Sequence, residues 1–146
     1  MDSRSTLDNA LKQIAAYLQS QPDVLLGYLF GSQARHQARA DSDMDIALLL
    51  DVAERSALDL LERRLDLAAA LSDLIQTDVD VVLLNRASLL LQGQVLGEGQ
   101  ILYAADPQMR VEYEARTRSL YFDFKPRLQQ HTDALLDHPR EVSLEH

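Results

Sequence analysis

Apolar residues recur at helical spacing at the start of the chain. Leu7, Leu11, Ile14, Ala15 and Leu18 share one face, which predicts an amphipathic helix over residues 5–19, with Ser5 and Asp8 as a capping box and Pro22 as its stop. The period then changes. Val24 to Phe30 is a continuous apolar run of strand length that ends at Gly31-Ser32, and a polar stretch from Gln33 to Ser42 follows. Asp45 to Leu50 predicts a second strand. Ala57, Leu58, Leu61, Leu65, Ala68, Ala69 and Ile75 mark a helix over 54–75, and Asp78 to Leu84 a third strand. Ala87 to Leu96 predicts a short helix closed by Gly97, and Gln100 to Tyr103 a fourth strand. Asp106-Pro107 supplies an N-cap and a first helical residue that needs no N–H, so a last helix is predicted to run to Phe124, where Pro126 kinks or ends it. The remainder, to about Val142, reads as helix fading into a tail. Strands interleaved with helices predict an α/β fold, a small mixed sheet with helices packed against it.

Composition narrows the class. The 146 residues, 47% hydrophobic, suffice for one core and are few for two, so residues 1–142 read as one domain with a helical C-terminal extension. Leu144-Glu145-His146 resembles the start of a histidine tag. With no Cys, disulfides and thiolate metal sites are excluded. No stretch has the length and apolarity of a membrane span, and the N-terminus lacks the apolar core of a signal peptide, so a soluble, cytoplasmic protein is expected. The formal net charge of −9 argues against general nucleic-acid binding and favours a cationic partner. Twelve of the 14 basic residues are Arg, suited to phosphates and carboxylates.

Candidate chemistry gathers between residues 29 and 50. Gly31 permits close backbone approach to a ligand, and Ser32 adds a hydroxyl where free N–H groups attract phosphate. Ten residues later come Asp43 and Asp45, two apart at a strand's start, so both leave the same face about 7 Å apart at the backbone. Magnesium takes such hard oxygen ligands together with substrate phosphates, and two ions can hold the attacking and the leaving oxygen. A third carboxylate would complete the site. Asp78 and Asp80 both open the next apolar strand, and spacing does not choose between them.

A glycine-serine turn alone is common, and so is a DxD at a strand edge; their combination is the informative feature. Gly31-Ser32, ten residues, then Asp43-Met44-Asp45 resembles the signature of the polymerase-β-type nucleotidyltransferase superfamily. Compact length, "GSQAR", "SDMDIALLL", "VDVVLLN" and "GEGQILYAAD" most resemble the minimal nucleotidyltransferase (MNT) antitoxins paired with HEPN-domain ribonuclease toxins, over roughly residues 5–125. That resemblance implies that Gly31 and Ser32 hold nucleotide phosphates, that Asp43 and Asp45 bind magnesium, and that Asp80 is the third carboxylate, helping to hold metal and favouring deprotonation of the acceptor hydroxyl. Asp78 becomes an outer-edge residue. Arg35, one helical turn beyond Ser32, is a candidate phosphate partner with a surface role nearly as well supported; Arg39 reads as a loop charge. The resemblance further implies ATP as donor and a tyrosine hydroxyl of a HEPN toxin as acceptor, so that AMP transfer silences the toxin.

Two other functions compete: stoichiometric sequestration of the toxin without catalysis, and nucleotidyl transfer to a small hydroxylated molecule, as in the related aminoglycoside nucleotidyltransferases. Against the latter, no second domain is apparent that would build a substrate pocket. His36, His131, His138 and His146 have no metal-pair spacing and read as surface residues. Tyr113, Tyr121, Phe122 and Phe124 concentrate half of the eight aromatics near the C-terminus, where they read first as core packing and second as interface anchors.

Overall fold

The structure is a computed structural model that describes residues 3–31 and 43–137, with side chains described for 5–31 and 43–124. The expectations that rest on Ser32, Arg35, His36, Arg39, His138 and the residues that follow lie outside the described residues.

In chain order the elements are α1 (Ser3–Gln19), β1 (Val24–Phe30), β2 (Met44–Leu50), α2 (Ala57–Ile75), β3 (Val79–Leu83), a short 3-10 turn (Leu84–Arg86), α3 (Leu89–Glu98), β4 (Gln100–Ala104) and α4 (Pro107–Asp137). The four strands form one mixed sheet in the order β3-β2-β1-β4. The β1–β2 and β1–β4 pairs are antiparallel, while β2 and β3 run parallel and are joined through α2. A parallel pair needs such a crossover, because a tight turn can only reverse the chain.

Both faces of the sheet are covered, which explains why the strands are continuous apolar runs rather than alternating ones. On one face α1 and α2 pack Ile14, Leu18, Leu67 and Leu71 against Leu29, Ile46, Leu48 and Val81, all essentially without solvent contact. On the other, Val95 and Leu96 of α3 and Tyr113 of α4 cover Leu26, Tyr28 and Ala47.

Several boundaries differ from the sequence reading, each for a local reason. α1 starts at Ser3, so Ser5 and Asp8 lie inside the helix rather than at its cap. α2 starts at Ala57 instead of 54: Glu54 is left-handed (φ 61°), and Ser56 forms a capping box in which its side chain accepts from the Asp59 N–H while the Asp59 carboxylate accepts from the Ser56 N–H. α3 starts after the Ser88 cap, with Gly97 inside the helix and Gly99 as its C-cap at an ordinary negative φ of −80°. α4 does use Asp106, whose side chain accepts from the Gln108 N–H at 3.0 Å, but the helix continues past Pro126 to Asp137.

The largest difference concerns α2. Its buried residues are Leu60, Leu67 and Leu71, whereas Leu58, Leu61 and Leu65, part of the apolar series that marks this helix, are 62%, 44% and 54% exposed.

Candidate active site

The predicted site residues that are described converge at one end of the sheet. Val79, Val81 and Leu83 of β3 belong to the core shared with α1 and α2, so alternation turns Asp80 to the opposite face. On β2 the alternation is the same: Met44 and Ile46 face α1 and α2, while Asp45 shares its face with Ala47, which packs towards α3 and α4. The parallel register places Asp45 directly across from Asp80, and the antiparallel register places it across from Phe30, the last residue of β1. Asp43 lies just before β2 and is exposed, Asp45 is half-buried and Asp80 is exposed.

Gly31 closes this corner. Its φ of +77° is one that residues with a side chain rarely adopt, and a Cβ placed there would collide with Oδ2 of Asp45. The turn backbone therefore rests against the Asp45 carboxylate. Asp78 stands outside this arrangement: it precedes β3, and its main-chain carbonyl accepts from the Met44 N–H at 3.0 Å, extending the strand pairing by one step.

Electrostatics reflect the crowding. Burial raises the Asp45 pKa above the ordinary carboxylate value, and the charges of Asp80 and then Asp43 raise it further. A carboxylate cluster that repels itself is relieved by a divalent cation, and hard carboxylate oxygens are the donors magnesium prefers. Among the described residues no three His, Cys, Asp or Glu side chains are drawn together at ligand spacing. The fit to magnesium thus rests on donor chemistry and on the like-charge strain at Asp45.

One polar network behind the site escaped sequence reasoning. The Tyr28 hydroxyl donates to Glu114 Oε2 at 2.6 Å, and Arg110 Nε donates to the same oxygen at 2.9 Å. Arg118 donates to Glu114 Oε1 and to the Leu96 carbonyl, both at 3.3 Å. Tyr28 pairs with Ala47, two residues beyond Asp45, so the network fastens α3 and α4 to the sheet next to the carboxylates. Burial opposes ionisation of Glu114, but the hydrogen bonds from Tyr28 and Arg110 outweigh it and hold its pKa below the usual range. Burial and the facing carboxylate both push the Tyr28 phenol up. The spacing of Arg110, Glu114 and Arg118 on one helix face was the available signal; the partner on β1 was not.

Similarity to known proteins agrees with this geometry. The family model for polymerase beta nucleotidyltransferases matches residues 12–108. Protein adenylyltransferase MntA of Shewanella oneidensis is 33% identical over 118 residues, 80% of this chain and 76% of that protein. A toxin–antitoxin crystal structure with AMP-PNP superposes with a TM-score of 0.69 at 29% identity, covering 86% of this chain and 98% of the other. A chain from the complex of tri-AMPylated Shewanella oneidensis HEPN toxin with its MNT antitoxin superposes with a TM-score of 0.59 at 26% identity, covering 84% and 98%.

Proposed function

This chain belongs to the polymerase β nucleotidyltransferase family, and from that premise we propose that it is a magnesium-dependent protein adenylyltransferase that acts as an antitoxin, moving AMP from ATP to a tyrosine hydroxyl of a HEPN ribonuclease toxin. The observation that carries the reading is the corner where Gly31 rests on Asp45 and Asp45 faces Asp80 across the β2–β3 pair. Its support from relatives is the name of the Shewanella adenylyltransferase and the AMPylated state of the HEPN toxin in the related complex.

In the proposed reaction the acceptor oxygen attacks the α-phosphorus in line, the bond to the bridging oxygen of pyrophosphate breaks, and the hydroxyl proton leaves towards Asp80. Gly31 and Ser32 hold the phosphates, with Arg35 as a further phosphate partner. Asp43, Asp45 and Asp80 are the residues that would hold magnesium, which when bound neutralises phosphate charge and acidifies the attacking hydroxyl. Catalysis then rests on positioning and charge neutralisation, with no covalent enzyme intermediate.

Intact mass spectrometry of a HEPN partner incubated with the protein, magnesium and each nucleoside triphosphate tests this. The expected result is a gain of AMP mass on the partner with ATP, lost in the Asp43→Ala/Asp45→Ala variant. No mass change with any triphosphate, alongside a complex that still blocks the ribonuclease, would replace catalysis with sequestration.

A further inference from the structure

A second feature of the molecule lies beside the carboxylates, at the edge of the sheet. β3 is an edge strand, and along its outer side α2 and α3 flank a groove of about 420 Å³. Its walls include Leu60 and Leu61 of α2, Val82 of β3 and Leu91 of α3, and two guanidinium groups, Arg64 and Arg86, line it as well. Arg64 is already engaged, its Nη1 donating to the Val81 carbonyl at 3.2 Å, while Arg86 is exposed. The groove is thus apolar and cationic on a chain whose formal charge is −9.

The apolar surface does not stop at the groove. Leu61 is on its rim, and Leu58 and Leu65 continue from it around the outer face of α2 at i−3 and i+4. Three exposed leucines in one stripe on a single helix, continuous with a groove, form the pattern by which one helix face receives another. The position relates to the chemistry: Val82 is two residues beyond Asp80 on the same face of β3, so the groove begins about 7 Å along the strand from Asp80.

We propose that this groove is where the protein substrate docks, and that its occupant is an amphipathic helix of the partner whose apolar stripe covers Leu58, Leu61 and Leu65 while carboxylates on its flank meet Arg64 and Arg86. The identity of the partner as a HEPN toxin rests on the function proposed above. Charge decides against a second copy of this chain. Two molecules of −9 repel at long range and would bring their own arginines together at the groove, whereas a partner that is cationic overall and locally acidic at the contact helix satisfies both fields.

The test uses the full chain and a HEPN partner, with Leu61→Asp/Leu65→Asp and Arg86→Glu as separate variants. Both leave Gly31 and the three carboxylates untouched, and unchanged AMP-PNP affinity and circular dichroism verify that the variants fold. The leucine variant is expected to weaken the complex by at least about tenfold and to raise KM for the toxin similarly, with KM for ATP unchanged. Arg86→Glu is expected to cost about threefold to tenfold, with a loss that shrinks as salt rises. Unchanged toxin affinity in both folded variants overturns the proposal, as does an effect confined to self-association of the chain or to binding of small anions. A wild-type protein that binds the toxin without transferring AMP refutes the proposed reaction yet leaves the groove testable by Kd; one that does not bind at all refutes both.

Discussion

Two sets of acidic residues in this molecule have opposite energetics. At the end of the sheet, Asp45 lies across from Asp80 and two residues after Asp43, and burial together with like charge raises the Asp45 pKa. Elsewhere among the described residues, the two carboxylates withdrawn from solvent, Asp23 and Glu114, have cations. Arg63 binds Asp23 through two bonds, at 2.9 and 2.8 Å, and Arg55 pairs with it at 2.9 Å. Glu114 gathers Tyr28, Arg110 and Arg118. The Asp23 pKa falls to about 2, principally through the Arg63 hydrogen bonds, with Arg55 adding to them against the opposing effect of burial. Paired acids hold elements together; Asp43, Asp45 and Asp80, for which no cation partner stands among the described residues, are held by the fold against their own repulsion.

The widest separation between the two sets is expected at Asp45. Asp45→Asn should lower AMP transfer roughly a thousandfold or more, about 4 kcal/mol of transition-state stabilisation, while raising the melting temperature in chelator because a repelled charge is gone. A variant that is both inactive and less stable would break the contrast. Glu114→Ala should do the reverse. Removing the acceptor that Tyr28, Arg110 and Arg118 share leaves the buried Tyr28 hydroxyl without it and should cost about 2 kcal/mol in denaturant melts, with activity per folded molecule nearly retained.

Acid unfolding sharpens the comparison further. A folded pKa depressed to about 2 from 3.8 means that Asp23 stabilises the fold above pH 4 and loses that contribution as pH falls towards 2, roughly 2 kcal/mol in all. The change of stability between pH 4 and 2 should therefore be smaller in Asp23→Asn than in the wild type. Asp45 has the opposite sign: its raised pKa makes the ionised carboxyl unfavourable in the folded state, and that penalty diminishes as pH falls through the raised value. The smallest expected effect is at the turn. Gly31→Ala meets a φ of +77° and the Asp45 carboxylate, and should cost about 1 kcal/mol of stability together with weakened AMP-PNP binding in a direct titration.

Much of this was legible in the chain. β1 matches its apolar run from Val24 to Phe30, and Asp106-Pro107 starts the last helix, because a run of strand length and a cap followed by proline are local signals. The α2 leucines were legible as a helix but not as a buried face. Leu58, Leu61 and Leu65 mark its period, and only packing reveals that Leu60, Leu67 and Leu71 face the core and leave the other stripe open. Likewise, helical spacing pairs Glu114 with Arg110 and Arg118, but nothing near it in sequence indicates Tyr28, 86 residues away.

By itself, the sequence determined the order of helices and strands, a glycine turn after the first strand, and two carboxylates spaced two apart where the second strand begins, because these depend on neighbours a few bonds apart. Tertiary structure decided which later acid stands opposite Asp45. Asp78 and Asp80 are equivalent by spacing, and the β2–β3 register distinguishes them: the apolar residues of both strands must be buried against α1 and α2, and the pairing that achieves this puts Asp80, not Asp78, across from Asp45.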